Sequence, residues 1–442
     1  MKLAFFALEF PPVNTTGNYR SAGFARYFLS KGADVLAFTC SIDTGEQTFG
    51  KKADFSLMQG LEKARIFRYD IKPFRKIWRT KLGNAIRIWW NTTDKIDKRW
   101  FFGKTQEEIL QTLKIEKPDF LYFSMPPFSV AQMALKIHAA TDIPLIVDMR
   151  DAWSLWGTSP HQTFFHYWQK KRTEQLLFSK AKYVLSVTPE LVLDFQKQHP
   201  MVSKEKFKII YNGVDDFGTT NLSKEANDIF KIGYVGSFYY SPDAEIKNAK
   251  KWYQRKIKNM LQYSPRSEQW IYRSPYFFLK ALAELVAKKP EYTQKIRFEF
   301  IGLAPNWFLG MIHDFNLNDI FINHGFKSKQ EVLCIQNTWN AILATSEKVV
   351  NGNHFCLPSK IFDAVESKKR ILAFVTDGSQ KTFLKDYPQT VFFEPDQSLE
   401  NSEKLGEIIS NNLNFASKSL DKFYSREHQS QVFYNLLKVP KN

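Results

Sequence analysis

The sequence predicts an α/β protein made of two doubly wound, parallel-sheet domains, and three observations carry that expectation. Short apolar runs of strand length alternate with helical segments, the signature of βαβ units. The alternation occurs in two consecutive series, before and after an irregular stretch near residues 212 to 228 that contains Gly218 to Ser223. The length, 442 residues with 44% hydrophobic side chains, suits two or three domains that each bury a core. Sheets of this kind bind ligands beyond the carboxyl ends of their strands, so a facing pair implies a cleft between them.

The first series opens with the apolar run Leu3 to Leu8, ended by Pro11 and Pro12. Ser21 to Lys31 has Phe24, Tyr27 and Phe28 on one helical face and stops at Gly32, and Val35 to Thr39 is the next strand. The pattern recurs with a strand over Asp119 to Ser124, a helix over Pro127 to Ala140 and a buried strand over Pro144 to Asp148. A helix ending at Glu174 to Ser179 precedes the strand Tyr183 to Val187, and Lys208 to Tyr211 closes the series before Asn212-Gly213. The second series reads strand Phe230 to Val235, helix Ser274 to Lys288 and strand Ile296 to Ile301. Further short strands fall at Asp319 to Asn323, Ala341 to Ala344 and Arg370 to Val375.

Charge and cysteine content narrow the function classes. Cys40, Cys334 and Cys356 are far apart and match no metal or disulfide spacing, which favours a reducing compartment. Glu9 interrupts the first apolar run and no cleavage site follows, so the N-terminus reads as a strand rather than a signal peptide. No run approaches the length of a membrane span. Lys and Arg exceed Asp and Glu by 62 − 45 = 17. Residues 72 to 104, with ten basic and two acidic side chains, and residues 245 to 273, with eight and two, hold 14 of that surplus. Both segments are rich in aromatics, a composition shared by interfacial membrane helices, by nucleic-acid grooves and by ordinary solvated helices whose rings pack inward. Ile246, Ala249, Tyr253, Ile257 and Leu261 recur at helical spacing and predict one amphipathic helix with a basic opposite face.

Four constellations could carry chemistry. The loop Pro11 to Arg20 leads from a strand into a helix, and Gly17 permits close approach of a ligand to an anion-attracting helix terminus, though a plain loop would read the same. Asp148-Met-Arg150-Asp151 places two carboxylates and a guanidinium at the end of a buried strand, either for substrate or as a brace between Arg150 and Asp151. Gly236-Ser237 follows a strand, and Arg273 opens the next helix. In Leu357-Pro-Ser359-Lys360-Ile-Phe-Asp363, the helix start and Lys360 make a seat for a diphosphate, while Asp363 on the same face could accept from ribose hydroxyls. A surface Lys360–Asp363 pair is the plainer alternative.

Taken in order, EFPPVNTTGNYR, YFSMPPFS, IPLIVDMRDAW, KFKIIYNGVDDF, GYVGSFYY, YRSPYFFLKALAEL and LPSKIFDAVESKKRIL resemble a GT-B glycosyltransferase of family 4 over nearly the whole chain. The resemblance implies two facing Rossmann-like domains: an acceptor-binding one at residues 1–215 and a nucleotide-sugar-binding one at 216–420 with a basic insertion at 241–271. A last helix, 421–442, would cross back onto the first domain. It further implies a retaining, metal-independent transfer from a UDP- or GDP-linked sugar, with no other cofactor. Arg150 and Asp151 would lie by the transferred sugar. Gly17, Gly236, Ser237, Arg273, Ser359, Lys360 and Asp363 would hold the donor. The chain departs from the family at Ser237, where an arginine is common, and at Phe355, where the first of two paired glutamates is usual. The second of that pair is shortened to Asp363. The expected partners are a saccharide acceptor, lipid-linked, and an anionic membrane surface at the cytoplasmic face of the plasma membrane, in cell-surface polysaccharide assembly. The alternatives are a nucleic-acid-binding α/β protein and a nucleotide-sugar isomerase of the same architecture.

Overall fold

The computed structural model describes residues 1–50, 52–70, 104–155, 160–213, 229–256, 259–350, 352–411 and 422–438. The basic segment 72 to 104 and the irregular stretch to residue 228 lie almost wholly outside the described residues. The chain divides into two compact units, Met1–Gly213 with Ile257–Pro265 and Phe423–Asn442, and Val214–Lys256 with Arg266–Lys422.

The first unit has a seven-stranded sheet of β1 (Lys2–Phe6), β2 (Asp34–Cys40), β3 (Arg65–Tyr69), β4 (Phe120–Met125), β5 (Leu145–Met149), β6 (Tyr183–Ser186) and β7 (Phe207–Ile209). The order is β3-β2-β1-β4-β5-β6-β7 and every pairing is parallel. Strand β3, with no fully buried side chain, has no apolar run to announce it and the sequence reading passed over it. Its place is fixed by Phe67, which stacks on Phe38. Phe38 stacks on Phe6, and Phe6 on Phe123, at centroid separations of 5.0, 4.6 and 4.3 Å. This row of four rings crosses β3-β2-β1-β4 at one register level, so a one-residue slip of any strand would remove a ring from it. On the other face, Phe433 of the helix Arg426–Lys438 meets Phe24, Phe28 and Tyr122. Full burial of such a ring contributes about 1.5–3 kcal/mol.

The second unit is built on β8 (Phe230–Val235), β9 (Ser267–Gln269), β10 (Ile296–Ile301), β11 (Phe321–Asn323), β12 (Ala341–Thr345), β13 (Lys348–Val350), β14 (Arg370–Phe374) and β15 (Thr390–Phe393). Six of these form a parallel sheet in the order β11-β10-β8-β12-β14-β15, while β9 and β13 pair antiparallel apart from it. Each unit's order reverses beside its first strand, at β1/β4 and at β8/β12. Those are the points where a doubly wound sheet opens a crevice at its carboxyl edge.

The single amphipathic helix expected in the insertion does not form. The helix Pro242–Ala249 stops at Ser241's eighth successor, and Tyr253 belongs to a separate turn, Trp252–Gln254. The break has a local cause: Lys251 is extended, with φ −62° and ψ 156°, and Gln254 Oε1 accepts from its backbone N–H at 3.1 Å, which caps a new turn instead of prolonging the old helix. Ile257 lies outside the described residues. Leu261 sits in a turn of the segment that joins the first unit, where Tyr263 bridges to His161.

Candidate functional site

In the second unit, β8 ends at Val235 and the chain turns at Gly236, whose φ of +91° suits glycine. Helix Ser359–Glu366 points its N-terminus at this turn through Lys360. The Lys360 ammonium donates to the Ser237 carbonyl at 2.5 Å and to Tyr234 Oη at 3.3 Å, and lies 5.0 and 5.2 Å from the ring centres of Tyr234 and Tyr239. A Cβ at Gly236 would stand 2.8 Å from Lys360 Nζ, so the missing side chain is what admits the ammonium. Burial draws the lysine down to about 8, with Asp363 on the same helix pulling the other way. Among the described residues two of its three N–H donors are used, which leaves the third for a ligand anion at the positive helix end. Gly236, Ser237 and Lys360 are thus brought together. Ser359 opens the same helix, and Asp363 is exposed one turn on.

Arg273 is placed among carboxylates. Its guanidinium donates to Glu268 Oε2 at 2.8 Å and lies 3.4 Å from Glu347 Oε2, while His354 Nε2 approaches Glu347 Oε1 at 3.1 Å. Glu347 follows β12 by two residues, at the carboxyl edge of the sheet. Burial pushes its carboxyl up, but His354 and Arg273 outweigh that and hold it at about 2. For Glu268, burial prevails over Arg273 and the carboxyl is raised. Thr376, just beyond β14, donates from Oγ1 to the Glu347 carbonyl at 2.6 Å and tethers this loop to the next strand.

In the first unit, Arg150 sits just beyond β5, its backbone N–H donating to the Met125 carbonyl at 2.9 Å. Its Nη2 donates to Glu9 Oε1 at 2.8 Å and to the Pro126 carbonyl at 2.6 Å. The ion pair therefore spans the β1/β4 switch point and joins the loops after β1, β4 and β5. Gly17, in the first turn of the helix Thr16–Ser30, lies against it: a Cβ there would stand 2.1 Å from Arg150 Nη1 and 2.5 Å from Glu9 Oε1. Beside it the Asp151 carboxyl is raised, by burial first, against the pull of Arg150. Asp148 has a different place. It is fully buried within β5 and takes a two-pronged ion pair from Arg20, Nε to Oδ2 and Nη2 to Oδ1, each at 2.8 Å. Tyr122 Oη also donates to Oδ2, at 2.5 Å. Arg20 Nη1 then reaches the carbonyls of Ile210 and Tyr211, so this group ties β5 to the chain after β7.

The sequence reading overlooked Glu9 as a partner of Arg150, and Glu268, Glu347 and His354 around Arg273. Glu9 and Glu347 carried a usable signal, a lone carboxylate two or three residues beyond an apolar strand. His354 and Glu268 carried none, because only the folded loops bring them near Arg273.

Residues 24–216 match the model of Glycosyltransferase Family 4. No curated protein matches the chain by sequence. Among solved structures, a glycosyltransferase from Rickettsia africae ESF-5 aligns over 99% of this chain and 97% of its own, at 12% identity and a TM-score of 0.60. The lipopolysaccharide outer core galactosyltransferase WaaB, in its apo form, aligns over 98% of both chains at 12% identity and 0.57. The UDP-GlcNAc 2-epimerase of Methanocaldococcus jannaschii aligns over 99% of both at 12% and 0.50. At these identities the likeness is one of fold, and the family match lies in the unit that holds Glu9, Gly17 and Arg150. Residues 24–216 thus resemble Glycosyltransferase Family 4, and the chain as a whole has the two-sheet GT-B fold of the solved glycosyltransferases it aligns with.

Proposed function

We propose that this protein is a glycosyltransferase that moves a sugar from a UDP- or GDP-linked donor to a lipid-linked saccharide, with retention of configuration and without a metal, in cell-surface polysaccharide assembly. The observation that carries the reading is the Lys360 ammonium, fixed beside Gly236 at the N-terminus of the helix Ser359–Glu366. A cation and a positive helix end at the switch point of a doubly wound sheet suit a diphosphate. As the glycosidic bond breaks, negative charge grows on the leaving diphosphate, and a preorganised cation lowers that barrier. Arg273, Ser237 and Ser359 would complete the donor seat, and Asp363 would accept from the ribose. Gly17, Arg150 and Asp151 would serve the sugar and the acceptor. The site would act at the cytoplasmic face of the plasma membrane, with no role for nucleic acid.

The test is product analysis with UDP- and GDP-sugars, with and without a saccharide acceptor and with a chelator. Acceptor-dependent product, undiminished by the chelator and of unchanged anomeric configuration by NMR, is expected. Conversion of the donor without any acceptor would indicate an isomerase, the activity named for the epimerase of like fold. A product of inverted configuration would remove retention, and a rate abolished by the chelator would remove metal independence.

A further inference from the structure

We propose that the first turns of the helix Phe164–Lys180, together with Leu261, form the face that docks this enzyme on an anionic lipid bilayer. The proposal deepens the reading of a lipid-linked acceptor and rests on it. Among the described residues no helix is long and apolar enough to cross a membrane. The helix begins with Phe164-Phe-His-Tyr-Trp168, a sequence that should bury its rings if it served only the core. Instead Phe164 is 58% exposed, Phe165 57% and Trp168 41%, while His166 and Leu177 face inward.

Successive exposed residues fall on one side. Positions 164, 165, 168, 172 and 176 lie within about a third of the helix circumference at 3.6 residues per turn. That face therefore reads Phe, Phe, Trp, Arg, Leu along its length. Arg172 stands 4.7 Å over the Trp168 ring and keeps the indole at the surface under a cation. Lys170 and Lys171 precede it, and the only carboxylate in the helix, Glu174, is buried against His199. Exposed rings flanked by cations are the composition of an interfacial anchor: rings enter the boundary layer and cations meet anionic headgroups. That charge match favours a lipid surface over an apolar protein partner.

The position suits the task. Strands β5 and β6 are parallel, so the helix between them starts at the carboxyl edge of the sheet, the edge that carries Arg150 and Glu9. Residues 259–265 of the same unit widen the face. Tyr263 among them meets Phe164 at 5.1 Å and Tyr167 at 4.9 Å, and its backbone exchanges two hydrogen bonds with His161, of 2.8 and 3.0 Å. Leu261, two residues away, is 63% exposed. A part of the basic insertion is thereby built onto an exposed aromatic face.

Co-sedimentation of the full chain with vesicles of phosphatidylglycerol and phosphatidylcholine tests this, beside a Phe164→Ser/Phe165→Ser/Trp168→Ser variant. The thermal shift induced by the nucleotide donor serves as the control for folding and for the donor site. The wild-type chain is expected to bind, and the variant to lose roughly tenfold or more of its partitioning with an unchanged nucleotide shift. Quenching of tryptophan by brominated lipid should fall in Trp168→Phe. A variant that partitions like wild type overturns the docking face and leaves the lipid-linked acceptor standing. A wild-type chain that binds no such vesicle at low salt overturns both. A variant that, without lipid, changes from dimer to monomer also overturns the proposal, since a second copy would then be the occupant.

Discussion

Lys360 should make donor binding depend on pH in a range where lysines are ordinarily silent. Its ammonium is drawn from 10.5 to about 8, chiefly by burial. The free enzyme then holds the proton in about nine-tenths of molecules at pH 7 and in about a tenth at pH 9. A diphosphate prefers the charged form, so affinity is full below the free pKa and is lost as pH rises through it. Above pH 8 the decline should approach tenfold per unit, each unit being worth about 1.4 kcal/mol. Lys360→Met keeps the apolar stem and removes the charge. One charge-assisted hydrogen bond contributes about 1.5–3 kcal/mol, so the variant should bind roughly 10- to 150-fold more weakly at pH 7. Titration calorimetry with a UDP- or GDP-sugar is the assay, because the diphosphate diester of such a donor does not itself titrate in this window. Affinity that stays flat from about pH 7 to 9.5 in the wild type refutes the reasoning, as does the same slope in Lys360→Met.

Other perturbations separate framework from chemistry. Gly17→Ala should raise helix propensity by about 1 kcal/mol, yet its Cβ would enter the space of Arg150 Nη1 and Glu9 Oε1. Activity is expected to fall about tenfold or more with no gain in stability, read from initial rates and urea unfolding, and a stabilised, fully active variant would contradict the contact. Asp148→Ala leaves Arg20 buried without its partner and should cost about 3–5 kcal/mol in the unfolding of the first unit, with donor affinity unchanged. Glu268→Gln relieves Arg273 of one of its two carboxylates and should tighten nucleotide binding by calorimetry. Weaker binding would instead show that Glu268 positions the guanidinium for its ligand.

What was legible in the sequence follows from how each signal is encoded. Strands buried on both faces are mostly apolar even where one or two charged residues interrupt them, and so β1, β5, β8, β10 and β14 were read at nearly their true positions. Strand β3 was missed because Arg65-Ile-Phe-Arg-Tyr69 carries two arginines in five residues and, at the sheet edge, has no fully buried side chain. Residues 241 to 271 failed in the opposite direction: a period without a continuous buried face is not a helix, and Lys251 starts a new turn inside it. For the site, Gly236 and Lys360 were readable because one follows a strand and the other opens a helix, local facts that a sequence contains.

The carboxylates around Arg273 show the limit of such reading. A paired-glutamate spacing of eight residues before Asp363 points to Phe355, but the structure sets that ring 5.2 Å from the Arg266 guanidinium, as packing rather than as a ligand group. The carboxylate at this edge comes from Glu347, at the mouth of β12, and the β13 strand intervenes between it and the helix of Lys360. Spacing along the chain measures only the intervening residues, whereas the parallel sheet measures distance from the strand end. Loops that leave the ends of neighbouring strands such as β8 and β12 lie at one edge of the sheet whatever the length of chain between them. In a doubly wound sheet the position of a residue relative to its strand's carboxyl end is therefore the better guide to a shared site, and by that measure Glu9, three residues beyond β1, and Glu347, two beyond β12, both stand beside the switch point of their own unit.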